Sequence, residues 1–243
     1  MDKIVELQKL IDNANHIVVI TGAGISTASG IPDIRSANGA ANNKDLIKKY
    51  KYGYETIVSH TFFMNRTEEF YAYYKEQMIF KDAKPNIAHK YLAKLEQRKD
   101  VTIITQNIDG LHSVAGSRNV IEFHGSTQRN TCLDCGEKYT LDYVLSQNGV
   151  PHCKKCGGII KPDVVLFEEG IDYEAIHESV RAAERADLLI VIGSSLVVYP
   201  AAGIPNYFHG DNIVIINRDP TPLDGYAKIV IHDDIKEVFS ELI

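Results

Sequence analysis

The chain has 243 residues, 44% of them apolar and 24% charged. That is the composition of a folded globular protein with one main core and room for a smaller module. A formal net charge of −6 without any basic block argues against nucleic-acid binding through phosphate neutralisation. No apolar run approaches the roughly 18 residues that a membrane-spanning helix needs.

Residues 2–14 place Ile4, Leu7, Leu10 and Ile11 on one helical face and predict an amphipathic helix. This opening segment lacks the apolar stretch of a signal peptide, so a cytoplasmic protein is expected. The β-branched run His16–Thr21 stops at Gly22-Ala23-Gly24 and reads as a buried strand feeding a tight turn. Residues 35–60 show little apolar periodicity and read as a loop with short helices. Thr67–Met78 predicts a helix, and Pro85-Asn86 opens another that runs to about Arg98. Val101–Thr105 and Val120–Phe123 predict two further strands. Residues 126–161, rich in Gly, Cys, Lys and polar residues, break the rhythm, and Val164–Phe167 resumes the strands. A helix over 173–186 precedes the strand Asp187–Ile192, which ends at Gly193-Ser194-Ser195. Ile213–Ile216 and Lys228–Ile231 complete the strands, and a helix closes the chain. Apolar strands alternating with helices imply an α/β fold: a doubly wound, mostly parallel, Rossmann-like sheet, with residues 126–161 and parts of 35–85 as a smaller inserted module.

A glycine turn after the first strand is where a doubly wound fold holds a dinucleotide. The backbone can approach a pyrophosphate there, and the next helix offers free N–H groups. The generic GxGxxG fingerprint is incomplete, because Thr27 stands at its third glycine, so these residues alone are equally compatible with a plain turn. The longer run Gly22-Ala23-Gly24-Ile25-Ser26-Thr27-Ala28-Ser29-Gly30-Ile31-Pro32-Asp33-Ile34-Arg35 resembles the sirtuin signature GAGxSxxSGIPDFR. It agrees at every fixed position except Ile34, where the family has Phe. Thr105-Gln106-Asn107-Ile108-Asp109-Gly110-Leu111-His112, at the carboxyl end of the second predicted strand, is similar to the family's TQNxDGLH. His124-Gly125 follows the third strand at the spacing of the family's catalytic histidine. Gly193–Ala201 is similar to GTSLxVxPA, with Ser194 keeping the hydroxyl of Thr. Asn217 ends a strand as the family's adenosine-ribose Asn does. The resemblance spans nearly the whole chain.

The four cysteines form two CxxC pairs, Cys132/Cys135 and Cys153/Cys156, and leave none over. In a cytosolic chain this spacing fits a four-thiolate tetrahedral zinc site more than disulfides. Four cysteines leave no open position for water, which makes the ion structural rather than catalytic. A nucleic-acid-binding ribbon is disfavoured, since Lys138, Lys154 and Lys155 come with few aromatic residues.

The sirtuin resemblance implies an NAD-dependent protein-lysine deacylase that passes the acyl group to ADP-ribose, releasing nicotinamide and O-acyl-ADP-ribose. It implies NAD as co-substrate and acyl-lysine proteins as partners, beside the one structural zinc ion expected from the cysteines; a monomer is expected, and the charge and the lack of a long apolar run leave no part for nucleic acid or membrane. Residues 1–34, 86–125 and 162–243 would form the NAD-binding domain. Residues 35–85 would be a cofactor-loop and helical insertion, and 126–161 the zinc-binding insertion. His124 and Asn107 would be catalytic. Gly22, Ala23, Gly24, Thr27, Ile34, Arg35, Gln106, Ile108, Asp109, Gly193, Ser194, Ser195, Asn217 and Ile235 would bind NAD. Val164, Val165, Leu166, Phe167, Val197 and Val198 would flank the substrate peptide. Tyr71 and Tyr74 would meet the acyl group; Tyr74 stands where succinyl-removing relatives carry Arg, so neutral acyl groups are expected over succinyl. Glu168 replaces the Gly of the family's FGE and puts a side chain beside the peptide cleft. Two other readings remain: a mono-ADP-ribosyltransferase, which Ile34 keeps open, and a non-catalytic NAD or ADP-ribose sensor, which has no need of a base such as His124.

Overall fold

A computed structural model of the chain describes residues 2–33 and 43–242. Ile34 and Arg35, both expected at the cofactor, lie outside the described residues. The chain opens with α1 (Lys3–Asn13), whose Asp2 cap accepts a hydrogen bond from the Ile4 amide. Then comes β1 (His16–Thr21), buried along almost its whole length. With β2 (Asp100–Thr105), β3 (Val120–Glu122), β7 (Leu188–Ile192), β8 (Ile213–Ile216) and β9 (Ile229–Ile231) it forms a six-stranded sheet in the order β3-β2-β1-β7-β8-β9. Every pairing in that sheet is parallel. The order reverses between β1 and β7, the switch point at whose carboxyl edge ligands bind in open α/β sheets.

Alternation along the strands separates two cores. Ile17, Val19, Ile103, Ile190 and Val214 face α1, α7 (Ile87–Leu95) and α11 (Ile235–Glu241). Val18, Ile20, Ile104, Leu189, Val191 and Ile215 face α10 (Tyr173–Arg185) and the 3-10 segment Ala201–Tyr207. Covering on both faces explains why these strands read as continuous apolar runs rather than as alternating ones.

Two stretches depart from the βα rhythm. Between β1 and α7 lie α2 (Gly24–Thr27), α3 (Lys44–Tyr50), α4 (Tyr54–Ile57), α5 (His60–Asn65) and α6 (Thr67–Tyr73). The expected helix over 67–78 forms, but its last turn, Tyr74–Met78, is wound as a π-helix. Between β3 and α10 lies a three-stranded antiparallel sheet, order β5-β4-β6, made of β4 (Gly125–Cys132), β5 (Lys138–Thr140) and β6 (Ile160–Val164), with α9 (Leu141–Ser146) beside it. The expected strand at Val164–Phe167 is corrected here. Only Val164 is in a strand, and that strand belongs to the small sheet; Val165–Phe167 is a connector held by single contacts, including a bridge between Phe167 and Ser59. Four apolar residues match the pattern of a buried strand, but their backbone bonds go to His124, Val58 and His60 and not to a strand of the large sheet.

The helical insertion and the small sheet share a third core. Phe63, Phe70, Tyr71 and Tyr74 pack with Cys132, Cys153, Ile160 and Leu166. The Tyr71 hydroxyl donates to the Ile160 carbonyl across that interface. Tyr71 and Tyr74 are both fully buried and take part in this core, which joins the helices before α7 to the small sheet. Their three- and four-residue spacings to the neighbouring aromatic residues reflect helix packing.

Candidate active site

The carboxyl ends of β1, β2, β3 and β7 meet at one edge of the sheet. The turn after β1 and the turn after β7 press on each other. A Cβ added to Gly22 would lie 2.7 Å from the Gly193 carbonyl oxygen, and one added to Gly24 would lie 2.6 Å from Gly193 Cα. Gly193 itself has φ +61, and its Cβ would fall 2.3 Å from the Ile25 amide. The Gly24 amide donates to the Gly193 carbonyl at 2.8 Å. The glycines thus let two adjacent turns of the protein close on each other, a requirement the sequence reading did not include. Thr27 uses its hydroxyl inside the short α2, donating to the Gly24 carbonyl at 2.9 Å.

The segment after β2 is oriented from below. The Gln106 amide donates to the Thr21 carbonyl, and its side-chain Nε2 donates to Ser194 Oγ at 2.7 Å. Asn107 Nδ2 donates to the Gly22 carbonyl and to Ser26 Oγ, each at 3.1 Å. Ser26 Oγ in turn donates to Asp109 Oδ2 at 2.7 Å, and the Leu111 amide donates to Asp109 Oδ1 at 2.9 Å. Burial pushes the Asp109 carboxyl above its ordinary range, and the Leu111 amide and Ser26 hydroxyl pull the other way by stabilising the anion. Ser26, itself 1% exposed, links the first signature to the second. The sequence reading missed it as a functional residue, although a fixed hydroxyl inside the first motif was the available signal. Ile108 is half-buried next to these groups.

His124 follows β3. Its Nδ1 faces the Gln106 carbonyl oxygen at 2.9 Å. A carbonyl can only accept, so Nδ1 carries the proton in that contact, and in the neutral ring the lone pair is then on Nε2. The backbone on either side is fixed as well: the Phe123 amide donates to the Thr105 carbonyl, and the Val165 amide to the His124 carbonyl.

Asn217 ends β8 and is 9% exposed. Ile235 starts α11 at the next strand end, with its side chain 8% exposed in the main core. The peptide-flanking expectations divide in the same way. Val164 and Leu166 point into the third core, while Phe167, Val197 and Tyr199 are exposed at 37%, 58% and 74%. The connector bearing Phe167 is pinned to α5. The His60 amide donates to the Phe167 carbonyl, and the Thr61 amide donates to Glu168 Oε2 at 2.8 Å. Glu168 adopts φ +74, the left-handed geometry that suits the family's glycine. Its side chain turns back to cap α5 instead of extending over the cleft.

The four thiols come together away from this edge, with all Sγ atoms within 4.8 Å of one another. Cys132 Sγ and Cys156 Sγ are 3.5 Å apart, and Cys135 Sγ and Cys153 Sγ 3.6 Å. Four sulfurs at the usual Zn–S length of about 2.3 Å around a tetrahedron stand roughly 3.8 Å apart. The two CxxC turns also match each other: the Gly136 amide donates to the Cys132 carbonyl and the Gly157 amide to the Cys153 carbonyl. The cluster fits a structural zinc ion with no open ligand position.

Among the described residues, no helix is long and apolar enough to cross a membrane. The Sir2 family profile matches residues 22–200. An NAD-dependent protein deacetylase of Clostridium acetobutylicum is 53% identical, over 100% of this chain and 99% of that protein. A solved Sir2 complex with a p53 peptide and NAD+ has a TM-score of 0.84 at 39% identity, over 97% of this chain and 95% of its own. Another, holding a deacetylated p53 peptide and 3'-O-acetyl ADP ribose, has a TM-score of 0.86 at 41% identity, over 98% and 96%. A family profile covering most of the chain, joined by a relative more than half identical from end to end, shows that this protein belongs to the Sir2 family.

Proposed function

We propose that this chain is an NAD-dependent protein-lysine deacylase. It transfers the acyl group of an acyl-lysine to the ADP-ribose of NAD and releases nicotinamide, the free lysine and O-acyl-ADP-ribose. The observation that carries the reading is the meeting of His124 with the Asn107–Ser26–Asp109 set at the carboxyl edge of β1, β2 and β3. A base and an oriented amide–carboxylate pair at one sheet edge suit chemistry on a ribose.

Each residue then has a stated task. His124, with Nδ1 held by the Gln106 carbonyl, accepts a ribose hydroxyl proton at Nε2. Asn107 spends its Nδ2 on Gly22 and Ser26, so its carbonyl oxygen is the end offered to a ribose hydroxyl. Asp109 is placed to accept from the carboxamide of nicotinamide. Ile108 walls that pocket, and Gln106 braces it through Ser194. The facing turns Gly22–Gly24 and Gly193–Ser195, together with Thr27, line the pyrophosphate path, and Asn217 takes the adenosine ribose. The substrate peptide adds as a strand between Val165–Phe167 and Val197–Tyr199, using main-chain hydrogen bonds that tolerate many sequences. The four thiolates hold one zinc ion that orders the small sheet.

The same proposal includes the domain division 1–34, 86–125 and 162–243, with insertions at 35–85 and 126–161. It also includes a monomer in the cytoplasm that acts on acyl-lysine proteins, not on nucleic acid or membranes; the grouped thiols support the reducing compartment, and the net charge of −6 supports a basic protein partner over nucleic acid. Neutral acyl groups are preferred over succinyl, since Tyr74 stands where succinyl-removing relatives carry Arg and leaves a carboxylate without its bidentate partner.

The test is to incubate the protein with NAD and an acetyl-lysine peptide, beside a His124→Ala variant, and to follow the products by mass spectrometry. Deacetylated peptide and O-acetyl-ADP-ribose that require NAD and vanish in the variant are expected. Label from NAD left on protein, or NAD binding without any turnover, would overturn the proposal.

A further inference from the structure

Across the switch point from His124, a second hydrogen-bonded chain runs under Asn217. The Asn217 amide continues the sheet by donating to the Ile231 carbonyl at 3.1 Å. Its side-chain Nδ2 donates to the Asp219 carbonyl at 2.7 Å, which aims the other end of the amide, Oδ1, as the acceptor. Its own carbonyl oxygen meets His232 Nδ1 at 2.6 Å. His232 lies just past β9, and its Nε2 meets Asp224 Oδ2 at 3.0 Å. Asp224 Oδ1 accepts from the Thr221 hydroxyl at 2.6 Å, and that hydroxyl accepts from the Leu223 amide at 3.3 Å.

Both nitrogens of one ring therefore face acceptors, a backbone carbonyl and a carboxylate. A single imidazole joins the end of β8, the end of β9 and the 3-10 turn Asp224–Tyr226. The turn cannot hold this shape alone: it is three residues long, and none of them is buried. Some fixed link is needed to keep Asn217 at one setting while its loop spans to β9, and His232 supplies it.

We propose that His232, backed by Asp224, is a positioning residue for NAD: it fixes Asn217 so that Oδ1 meets the adenosine ribose. This rests on the reading of Asn217 as the ribose ligand. The partly exposed ion pair, with side chains 35% and 22% accessible, contributes little by its charge. Its effect is geometric, and it falls on binding of the adenosine end rather than on chemistry at the nicotinamide ribose, which His124 governs.

The experiment is steady-state kinetics of the full chain with NAD and acetyl-lysine peptide varied separately, for wild type, His232→Ala, Asp224→Asn and Asn217→Ala, with Tm measured for each. KM for NAD is expected to rise about three- to tenfold in His232→Ala and Asp224→Asn, the effect of one misdirected hydrogen bond. kcat and KM for peptide should stay within about twofold of wild type. Asn217→Ala should raise KM for NAD at least as far. If Asn217→Ala does so and both other variants leave it unchanged, the positioning role is refuted. If Asn217→Ala leaves it unchanged in an active enzyme, the ribose assignment falls, and this inference with it. If kcat and Tm fall together in both His232→Ala and Asp224→Asn without a selective rise in KM for NAD, the link is merely structural. Asp224→Asn keeps the shape of the turn and so preserves the test should His232→Ala fail to fold.

Discussion

Two buried histidines should make this protein acid-labile by a calculable amount. His89 on α7 and His112 on the short helix α8 (Leu111–Ala115) after β2 are 0% and 2% exposed, with ring centroids 4.8 Å apart. Neither can take up a proton cheaply. Burial lowers His89 to about 4; burial, with a smaller contribution from His89, lowers His112 to about 3. In the unfolded chain both titrate near 6.5. The unfolded state therefore binds more protons at every pH between those values, and stability falls as pH falls from about 6.5 toward 4. Each ring loses about 1.4 kcal/mol per pH unit over that window, which makes about 4 kcal/mol for the two at pH 5. Against a total of about 5–15 kcal/mol for a typical fold, that is a large share. The assay is urea unfolding at pH 7, 6 and 5 for wild type, His89→Gln, His112→Gln and the double variant. The slope of stability against pH should drop by about half in each single variant and become nearly flat in the double. Comparing slopes removes any constant cost of the substitutions, such as loss of the hydrogen bond between His112 Nε2 and Thr21 Oγ1. Equal slopes in all four proteins would refute the reasoning.

Three further outcomes follow from the same geometry. Ser26→Ala should lower kcat/KM on the order of 10- to 100-fold while leaving the fold intact, because it strips a donor from buried Asp109 and an acceptor from Asn107; activity within twofold of wild type would show that this link is dispensable. Gly193→Ala should destabilise the protein by about 2 kcal/mol or more, since it combines a left-handed φ with a Cβ 2.3 Å from the Ile25 amide, and denaturant midpoints report this directly. Metal analysis should find one zinc per chain, and chelation or Cys153→Ser should lower the Tm by on the order of 10 °C. The loss should reach the helical insertion, because Cys132 and Cys153 sit in the same core as Phe63 and Phe70; protection of that insertion from hydrogen exchange that is unchanged on zinc removal would contradict it.

The order of residues alone made the parallel sheet legible, because strands covered on both faces must be apolar throughout and their runs stop at turn residues. It determined the zinc cluster, because CxxC spacing fixes two sulfurs per turn whatever surrounds them. It also placed Asn107, Asp109 and His124 through motif spacing at strand ends, where an α/β sheet leaves its ligand edge. How these parts meet depends on contacts made in the folded chain. Val164–Phe167 has the local pattern of a strand, but pairing depends on which edge is in reach, and the small antiparallel sheet takes Val164 alone. Tyr71 and Tyr74 look alike in sequence whether they face a cleft or a core; what buries them is Phe63 and Phe70 beside them together with Cys132, Cys153 and Ile160, which come from roughly 60 to 90 residues further along. Ile235 and Leu166 sit in segments next to the site, but their side chains turn inward. Ser26, His232 and the glycine pair Gly22–Gly193 act through contacts between residues distant in the chain. Local propensity and periodicity carry no term for such contacts, so the geometry that orients the site became visible only when the chain was folded.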